Sequence, residues 1–338
     1  MNSDDRNLDE RDLDALVAAL TIEQKALLTA GADLWNTHGI PEHGIPAVRV
    51  TDGPNGARGS ALLGAGSVTA VCMPCGSALG ATWDPALVTE AGRVLGEEAR
   101  TKSCRVLLAP TINLHRSPVA GRNFECYSED PLLSGTIAAA FVRGVQSQGV
   151  AATAKHLVGN EAEFQRNTIS SDIDQRALRE LYLRPFELAV TEGGVLAVMT
   201  AYNRLNGRFC AEDRWLLTDV LRGEWGFDGI VMTDWFGSAD TVDSAHAGLD
   251  LEMPGPGRAF GDALAAAVAT GEVAESALDE IVQRWLRLID RLDAWHDPAP
   301  SEESIDKPEH RKVARRAATD SMVLLANDGV LPLDPSRP

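Results

Sequence analysis

The stretch of the sequence best suited to chemistry is a short apolar run that ends in a carboxylate and a large aromatic side chain. Residues 230–233 follow an Asp-Gly turn and are rich in β-branched types, which predicts a buried strand, and Asp234 and Trp235 come directly after them. In a barrel of parallel strands, the carboxyl ends of the strands share one mouth. A carboxylate beside an aromatic face suits attack on the anomeric carbon of a sugar. The alternative is that Asp234 caps a helix predicted at 237–247.

Charged and hydrogen-bonding side chains also stand at or just past the ends of the other predicted strands. Together they are Asp52, Arg122 (on a long loop), Lys155, His156, Tyr202, Asp234 and Trp235. Because such strand ends converge on one mouth, we expect these side chains to surround one site. Each has a structural alternative, such as a surface ion pair for Arg122 or a satisfied core position for His156.

This combination of side chains fits a pyranoside. Sugar hydroxyls both donate and accept hydrogen bonds, so a carboxylate flanked by cations, as at Asp52, can hold adjacent hydroxyls in charge-assisted bonds. The cations Arg122 and Lys155 are also expected to keep Asp234 ionised, as a nucleophile requires. Tyr202 can hydrogen-bond that carboxylate or the ring oxygen of the sugar.

Phosphate, metal and redox chemistry have weaker support in the sequence. The cations could bind phosphate, but no glycine-rich phosphate cradle precedes a helix. The acidic pair Glu161 and Glu163 has no histidine at ligand spacing, so no metal site is predicted. Cys72 and Cys75 have CxxC spacing without a second pair, and small buried thiols are the better interpretation of the five cysteines. No cofactor is expected.

Composition limits the class of partner. The 338 residues include 31 Lys and Arg against 49 Asp and Glu, a formal charge of −18, which disfavours nucleic acid and anionic membranes as partners. No apolar stretch approaches the ~20 residues of a membrane span. The N-terminus is acidic and polar and has no apolar signal core, so a cytoplasmic location is expected.

The candidate residues must be positioned by strands that alternate with helices. The predicted strands cover residues 48–51, 105–109, 150–154, 195–201, 230–233 and 249–253. The predicted helices between and after them cover residues 85–102, 131–148, 174–192, 212–222, 237–247, 258–270 and 274–293. This alternation predicts an α/β fold, a (β/α)8 TIM-type barrel that need not be regular, with residues 8–31 as a covering segment. Six or seven strands are visible, so closure at eight is inferred.

The chain is predicted to contain three parts. Residues 1–296 form the barrel domain, and residues 297–308, rich in proline and acidic side chains, form a linker. Residues 309–338 contain a predicted helix at 310–319 and a predicted strand at 321–325. They are interpreted as the beginning of an incomplete second α/β domain, a short C-terminal extension of the barrel.

Six motifs, in order along the chain, resemble those of glycoside hydrolase family 3 β-glucosidases. They are TDGPNGAR at 51–58, GRNFE at 121–125, SEDP at 128–131, Lys155-His156, TAYNRLNG at 200–207 and GFDGIVMTDW at 226–235. The resemblance runs from about residue 21 to the end of the chain, where residues 318–325 resemble the entry to that family's second domain.

The resemblance implies a retaining mechanism with Asp234 as the nucleophile. It also implies a glucose-binding subsite, which would consist of Asp52, Arg122, Lys155, His156, Met199, Tyr202 and Trp235. Arg58 and Arg116 match family positions too and are expected to be structural supports.

One group that the mechanism needs is missing from the motifs. A retaining glycosidase uses two carboxyl groups about 5–5.5 Å apart, one of them an acid and then a base. Two-domain members of the family carry the second as a glutamate on the domain after the barrel, so a second domain or chain is expected to supply it. The single-domain N-acetylglucosaminidase branch uses a His-Asp pair after Lys-His, but residues 157–163 contain no second histidine. Glu161 or Glu163 as a substitute acid is the alternative.

The favoured function is hydrolysis of terminal non-reducing β-D-glucosyl residues with release of β-D-glucose, by a β-glucosidase whose barrel this chain forms. Asp52 favours a hexose because an acidic side chain can hold its outer hydroxyls, which leaves β-xylosidase or arabinosidase as the alternative within the family. An alternative of another class is a catalytically incomplete sugar-binding fragment. Neither nucleic acid nor a membrane is expected as a partner.

Overall fold

A computed structural model describes residues 12–60, 68–237, 240–296 and 301–336. The first residues of the predicted covering segment, two residues of the helix predicted at 237–247 and part of the predicted linker lie outside these ranges. The same holds for the extreme N-terminus, on which the expected location depends.

Within the described residues the strands form one main sheet and one small sheet. In chain order the strands are β1 Val50–Asp52, β2 Val106–Leu108, β3 Ala151–Leu157, β4 Ser170–Ser171, β5 Ala197–Thr200, β6 Arg204–Leu205, β7 Arg208–Phe209 and β8 Ile230–Met232. The main sheet has the order β1-β2-β3-β5-β8, and every pair in it is parallel. Its strands are almost entirely buried, as expected for a parallel sheet with both faces covered.

The two edge strands of the main sheet are connected by isolated bridges. Met232 pairs with Leu251 in parallel orientation, and Glu252 pairs with Ala30. The backbone N–H of Val50 donates to the carbonyl of Trp35 at 2.8 Å, which completes the path back to β1. The predicted α/β, TIM-type architecture is therefore confirmed in an irregular form, with five parallel strands and bridges in place of eight regular strands.

The strand predicted at 249–253 exists only as these bridges. The reason is that the Asp250 carboxylate accepts the Val231 N–H at 2.6 Å and so replaces a backbone partner. Asp250 is itself held by Arg222 and Arg284, each at 2.6 Å.

Helices surround the sheet. They are α1 Leu13–Ala19, α2 Ile22–Leu27, α3 Gly76–Ala81, α4 Pro85–Arg100, α5 Pro131–Gln146, α6 Gln175–Ala177, α7 Arg184–Thr191, α8 Thr241–Ala247, α9 Asp262–Ala269, α10 Glu275–Arg291 and α11 Pro308–Asp320. Helices α4 and α5 each begin with an aspartate cap followed by proline, as the sequence predicts. They approach closely at Gly144, where a Cβ atom would lie 2.1 Å from the Thr89 carbonyl oxygen.

Two predicted helices differ from expectation. The helix predicted at 174–192 is divided into α6, a π-helical turn at Leu178–Tyr182, and α7. Pro185 at the start of α7 cannot donate a backbone hydrogen bond, which interrupts a continuous α-helical pattern. The helix predicted at 212–222 is a 3-10 turn at Cys210–Glu212 followed by a π-helical segment at Trp215–Glu224.

Strand β3 is longer than predicted and contains Lys155 and His156 instead of ending before them. It is extended because the Lys155 N–H donates to the Pro110 carbonyl at 3.0 Å and the Lys155 carbonyl accepts from Ile112 at 2.8 Å. Both side chains are therefore held by a buried strand rather than by a loop.

The C-terminal part begins with a segment that contacts the barrel. Glu302 pairs with Arg49 at 3.1 Å, and Ser301 hydrogen-bonds Ser103. Helix α11 follows, but the strand predicted at 321–325 is wrong. Those residues have no regular secondary structure and are largely exposed, and no strand of the described part pairs with them. No helix in the described ranges has the length and apolar character needed to cross a bilayer.

Candidate active site

One cavity of about 200 Å³ lies at the carboxyl ends of the main-sheet strands. Its lining consists of Trp35, Asp52, Leu108, Arg122, Lys155, His156, Arg166, Met199, Tyr202, Asp234 and Trp235. The structure thus brings to one place every residue that the sequence singled out for the site. It adds three that the sequence analysis missed: Trp35, Leu108 and Arg166.

Asp52, the last residue of β1, is held as an anion by two cations. Lys155 Nζ lies 2.9 Å from its Oδ1, and Arg58 lies 3.4 Å from its Oδ2. Burial alone would raise the pKa of Asp52, but Lys155, Arg58 and the Gly53 N–H outweigh it and lower that pKa below its usual value. Arg58 therefore contacts Asp52 but does not line the cavity itself.

Arg122 is oriented by a buried glutamate of its own motif. Its Nε lies 2.5 Å from Glu125 Oε1, and the other oxygen of Glu125 accepts from the Thr111 hydroxyl at 2.8 Å. Burial opposes ionisation of Glu125, but Arg122 and Lys155 outweigh it, so the pKa of Glu125 is lowered. The guanidinium is thereby held at the wall of the cavity, where it also contacts His156 at 3.2 Å.

His156 is a neutral imidazole. Burial, followed by the nearby charges of Arg122 and Lys155, holds its pKa well below the usual value. Its Nδ1 lies 3.1 Å from Asn113 Oδ1, and its Nε2 lies 3.5 Å from Asp234 Oδ2. The ring therefore offers hydrogen bonding, not charge, to the cavity.

Asp234 follows β8 and points into the cavity. It does not cap the next helix, which begins at Thr241 and is capped by Asp240, so the capping alternative is wrong. Its Oδ1 accepts the Trp235 N–H at 2.7 Å, whereas its Oδ2 is buried and has no hydrogen-bond partner among the described residues.

The pKa of Asp234 is raised above its usual value. Burial is the largest cause, and it is only partly offset by Lys155, the Trp235 N–H, the Tyr202 hydroxyl and Arg122. The cations thus act in the predicted direction, but they do not outweigh desolvation. An orphaned, desolvated carboxylate oxygen is an unusual feature that indicates a functional position.

Aromatic rings form one wall of the cavity. Trp235 and Trp35 have ring centroids 5.5 Å apart and planes tilted by 40°. The Tyr202 hydroxyl donates to the Trp235 carbonyl at 2.7 Å, and the Arg166 guanidinium lies 4.5 Å from the Tyr202 ring centre. Met199 in β5 lies buried at the floor.

Trp35 and Arg166 could not be found from strand-end patterns. Trp35 lies in the bridge-forming segment after α2, and Arg166 lies in the loop before β4, so neither follows a recognisable strand. Nothing in the local sequence distinguishes these two residues from other loop residues, because aromatic and arginine side chains are common in loops that do not form a site.

Neither glutamate considered as a substitute acid lines the cavity. Glu161 is buried and accepts from the Leu114 N–H at 3.3 Å and the Asn113 amide at 3.4 Å. Glu163 pairs with Arg166 at 2.6 Å and lies 3.9 Å from Arg122. Their placement gives no support to the alternative.

The cysteines are free thiols in the structure. Three of the five are buried, whereas Cys75 is half-buried and Cys72 is exposed, so the prediction of buried thiols fits only part of the set. In the part of the chain that the structure describes, no group of His, Cys, Asp and Glu side chains is arranged to hold a metal ion.

Solved structures share this fold. β-Glucosidase 3B from Thermotoga neapolitana, in complex with glycerol, superposes with a TM-score of 0.90 at 39% identity, over 96% of this chain and 49% of that one. A β-glucosidase from Kluyveromyces marxianus in complex with glucose gives a TM-score of 0.91 at 39% identity, over 96% of this chain and 40% of that one.

Curated relatives are similar in sequence over nearly the whole chain. A β-glucosidase of Rhizobium radiobacter is 53% identical over 322 residues, and β-glucosidase B of Emericella nidulans is 48% identical over 331 residues. These matches cover 95% and 97% of this chain, which spans 39% of the length of each relative. The model of the glycosyl hydrolase family 3 N-terminal domain matches residues 35–288, and the chain belongs to glycosyl hydrolase family 3.

Proposed function

We propose that this chain forms the nucleophile-bearing barrel of a retaining β-glucosidase that releases β-D-glucose from non-reducing ends. The observation that carries the proposal is Asp234, which lines a cavity of hydrogen-bonding groups and whose buried Oδ2 has no hydrogen-bond partner among the described residues. The names of the similar proteins support the same activity.

In the proposed reaction, Asp234 Oδ2 attacks the anomeric carbon of the bound glucosyl unit. The bond from that carbon to the leaving-group oxygen breaks, and a glucosyl ester of Asp234 forms. A water molecule then attacks the same carbon, which releases glucose and restores the carboxylate. The Trp235 N–H on Oδ1 keeps the carboxylate plane oriented during both steps.

The groups around Asp234 suit recognition of one hexose ring. Asp52 accepts hydrogen bonds from hydroxyls and Lys155, paired with it, donates to them. Arg122 adds a second donor. The Trp35–Trp235 wall can pack on the C–H face of the ring. The cavity volume of about 200 Å³ suits one ring, so the remainder of the substrate would extend outward.

The acid/base group is proposed to come from outside the residues that the structure describes, on a second domain or chain. The other carboxylates in or near the cavity are poorly placed for this role, because Asp52 and Glu125 are ion-paired and Glu161 and Glu163 lie outside the lining. A β-xylosidase or arabinosidase is the alternative substrate class, and relative rates on aryl β-glucoside and aryl β-xyloside distinguish them.

Covalent trapping tests the nucleophile. A 2-deoxy-2-fluoro glucoside with an activated leaving group should label the chain stoichiometrically, and peptide mapping should place the label on Asp234. Asp234→Asn should remove the label because an amide is a poor nucleophile, while Asp213→Asn, at a partly buried aspartate outside the cavity lining, should not. A label on any other residue contradicts the assignment.

Turnover by the 338-residue chain tests the origin of the acid/base. Without that group we expect a burst with an activated aryl glucoside, acceleration of turnover by azide, and negligible cellobiose hydrolysis, since general acid/base help contributes about 10²–10⁴-fold. Brisk cellobiose hydrolysis without an azide effect would show that the chain contains its own acid/base.

A further inference from the structure

The Asn113 side chain connects the His156 ring to a buried glutamate outside the cavity. Asn113 Oδ1 accepts the His156 backbone N–H at 2.9 Å and faces ring Nδ1 at 3.1 Å. Its Nδ2 donates to the His156 carbonyl at 3.0 Å and to Glu161 Oε1 at 3.4 Å. A flipped amide would put donor against donor and acceptor against acceptor, so this orientation is the one that the contacts allow.

That orientation determines where the proton lies on the His156 ring. Because Asn113 Oδ1 is an acceptor, the hydrogen-bond network assigns the proton to Nδ1 and leaves a lone pair on Nε2. Nε2 accepts from Arg122 at 3.2 Å and lies beside Asp234 Oδ2 at 3.5 Å. A sugar hydroxyl bound here would replace Arg122 as the donor to this single lone pair.

Glu161 is the acceptor that completes the Asn113 network. Glu161 is 6% exposed and does not line the cavity. Its Oε1 also accepts a hydrogen bond from the Leu114 N–H. Burial raises the pKa of Glu161 to about 7, partly offset by Leu114, Asn113 and Arg116. The charged or titratable groups that interact with it from neighbouring segments are Arg116, Cys126, Tyr182 and Cys210. The pKa values of the last three are raised, so they stay neutral when Glu161 titrates.

We propose that Glu161 is a positioning residue that acts through Asn113 to hold the His156 ring in the orientation that binds the sugar. The inference rests on the proposed glucose subsite. A charge-assisted hydrogen bond is about twice as strong as a neutral one. Asn113 is therefore held more firmly when Glu161 is ionised, and sugar affinity increases as Glu161 loses its proton.

Glucose affinity as a function of pH tests this role. Calorimetric titration of the chain with glucose from about pH 5 to about pH 9 should show affinity rising about three- to tenfold near neutral pH, the range expected for one hydrogen bond. Glu161→Gln keeps the shape and an acceptor but cannot ionise, so its affinity should stay at the low-pH level throughout. Glu212→Gln is the matched control, because Glu212 also has a raised pKa but accepts from the Asp240 N–H and not from Asn113.

A double variant shows whether the effect passes through Asn113. In an Asn113→Ala background, Glu161→Gln should cause no further change in affinity, and additive losses would overturn the proposal. If glucose affinity still changed with pH to the same extent in Glu161→Gln, the proposal would also be overturned. Nitrogen-15 spectra of the unmodified chain give a readout that needs no variant to fold, because an Nε2–H tautomer at His156 would contradict the network. A complete absence of glucose binding at every pH would instead reject the glucose subsite, and the present proposal with it.

Discussion

The cavity contains two aspartates, Asp52 and Asp234, whose surroundings shift their pKa values in opposite directions. Asp52 has Lys155 at 2.9 Å and Arg58 at 3.4 Å, and these cations outweigh burial and lower its pKa. For Asp234 burial outweighs the cations and raises the pKa. A carboxylate that is paired with cations stays ionised and can accept hydrogen bonds from sugar hydroxyls. A carboxylate with a desolvated, unpaired oxygen is better suited to attack carbon. The proposed division of roles follows from this difference.

Removing Lys155 should destabilise the protein in a pH-dependent way. Lys155→Gln leaves Asp52 without its nearest partner, and we expect the free energy of unfolding at pH 7 to fall by about 2–3 kcal/mol, as for a hydrogen bond between charged groups. Because the folded-state pKa of Asp52 is depressed, its stabilising contribution is present above the unfolded pKa and is lost as pH falls through the folded pKa. The deficit should therefore shrink in acid.

Urea unfolding at pH 7 and at about pH 3 measures this effect. Asp52→Asn and the double variant complete a thermodynamic cycle, in which the coupling between positions 52 and 155 should be larger at neutral pH than in acid. A deficit independent of pH would show that Lys155 acts by packing alone.

At the scale of elements, α11 is attached to α4 by a buried histidine. His310 is 2% exposed, and its two ring nitrogens lie 3.1 Å from carboxylate oxygens of Glu97 and Glu98. Glu98 also pairs with Lys102 at 3.3 Å, and both side chains are fully buried. Polar groups buried between two helices restrict the relative position of the helices more than apolar contacts do, because a displacement of one helix leaves the polar groups unpaired.

Replacing His310 should release α11. In His310→Leu, Glu97 and Glu98 lose a hydrogen-bond partner. Removing one partner from a buried polar network costs about 3 kcal/mol. A loss of that size corresponds to about 100-fold faster amide exchange in residues 308–320. Hydrogen-exchange mass spectrometry measures the change. Arg311→Ala, on the exposed face of the same helix, serves as the control and should leave exchange nearly unchanged. Equal protection in both variants would contradict the role of His310.

At the scale of the whole molecule, the segment after α11 presents apolar side chains to solvent. Met322, Val323, Leu324 and Leu325 are 77%, 65%, 63% and 92% exposed. The chain spans 39% of the length of each of the two curated relatives named above. On the chain alone, adjacent exposed apolar residues favour association.

We expect the 338-residue chain to associate in a concentration-dependent manner. Val323→Asp combined with Leu325→Asp should reduce association, because each charge would have to be desolvated in an apolar contact. Multi-angle light scattering over a concentration series measures the change. Val119→Asp is the control, since Val119 is 88% exposed but lies elsewhere on the surface. An equal effect of both replacements would indicate a general influence of net charge.

Local sequence patterns predicted the elements that depend on neighbours in the chain. The apolar runs at β1, β2, β3, β5 and β8 were located within a few residues, and so were the aspartate-proline starts of α4 and α5. Longer-range effects were missed. The Asp250 carboxylate replaces a backbone partner at 249–253, and residues 321–325 have no strand beside them in the described part.

The sequence by itself determined which side chains stand at the strand ends, because apolar runs and turn residues are encoded locally and parallel strands place those ends on one side. Asp52, Tyr202 and Asp234 reach the cavity for this reason. Only the tertiary structure decided the chemical state of the groups: the neutral His156 ring, the raised pKa of Asp234, and the arrival of Trp35 and Arg166 from distant loops. These properties arise from desolvation and from contacts between segments far apart in the chain, which no local pattern specifies.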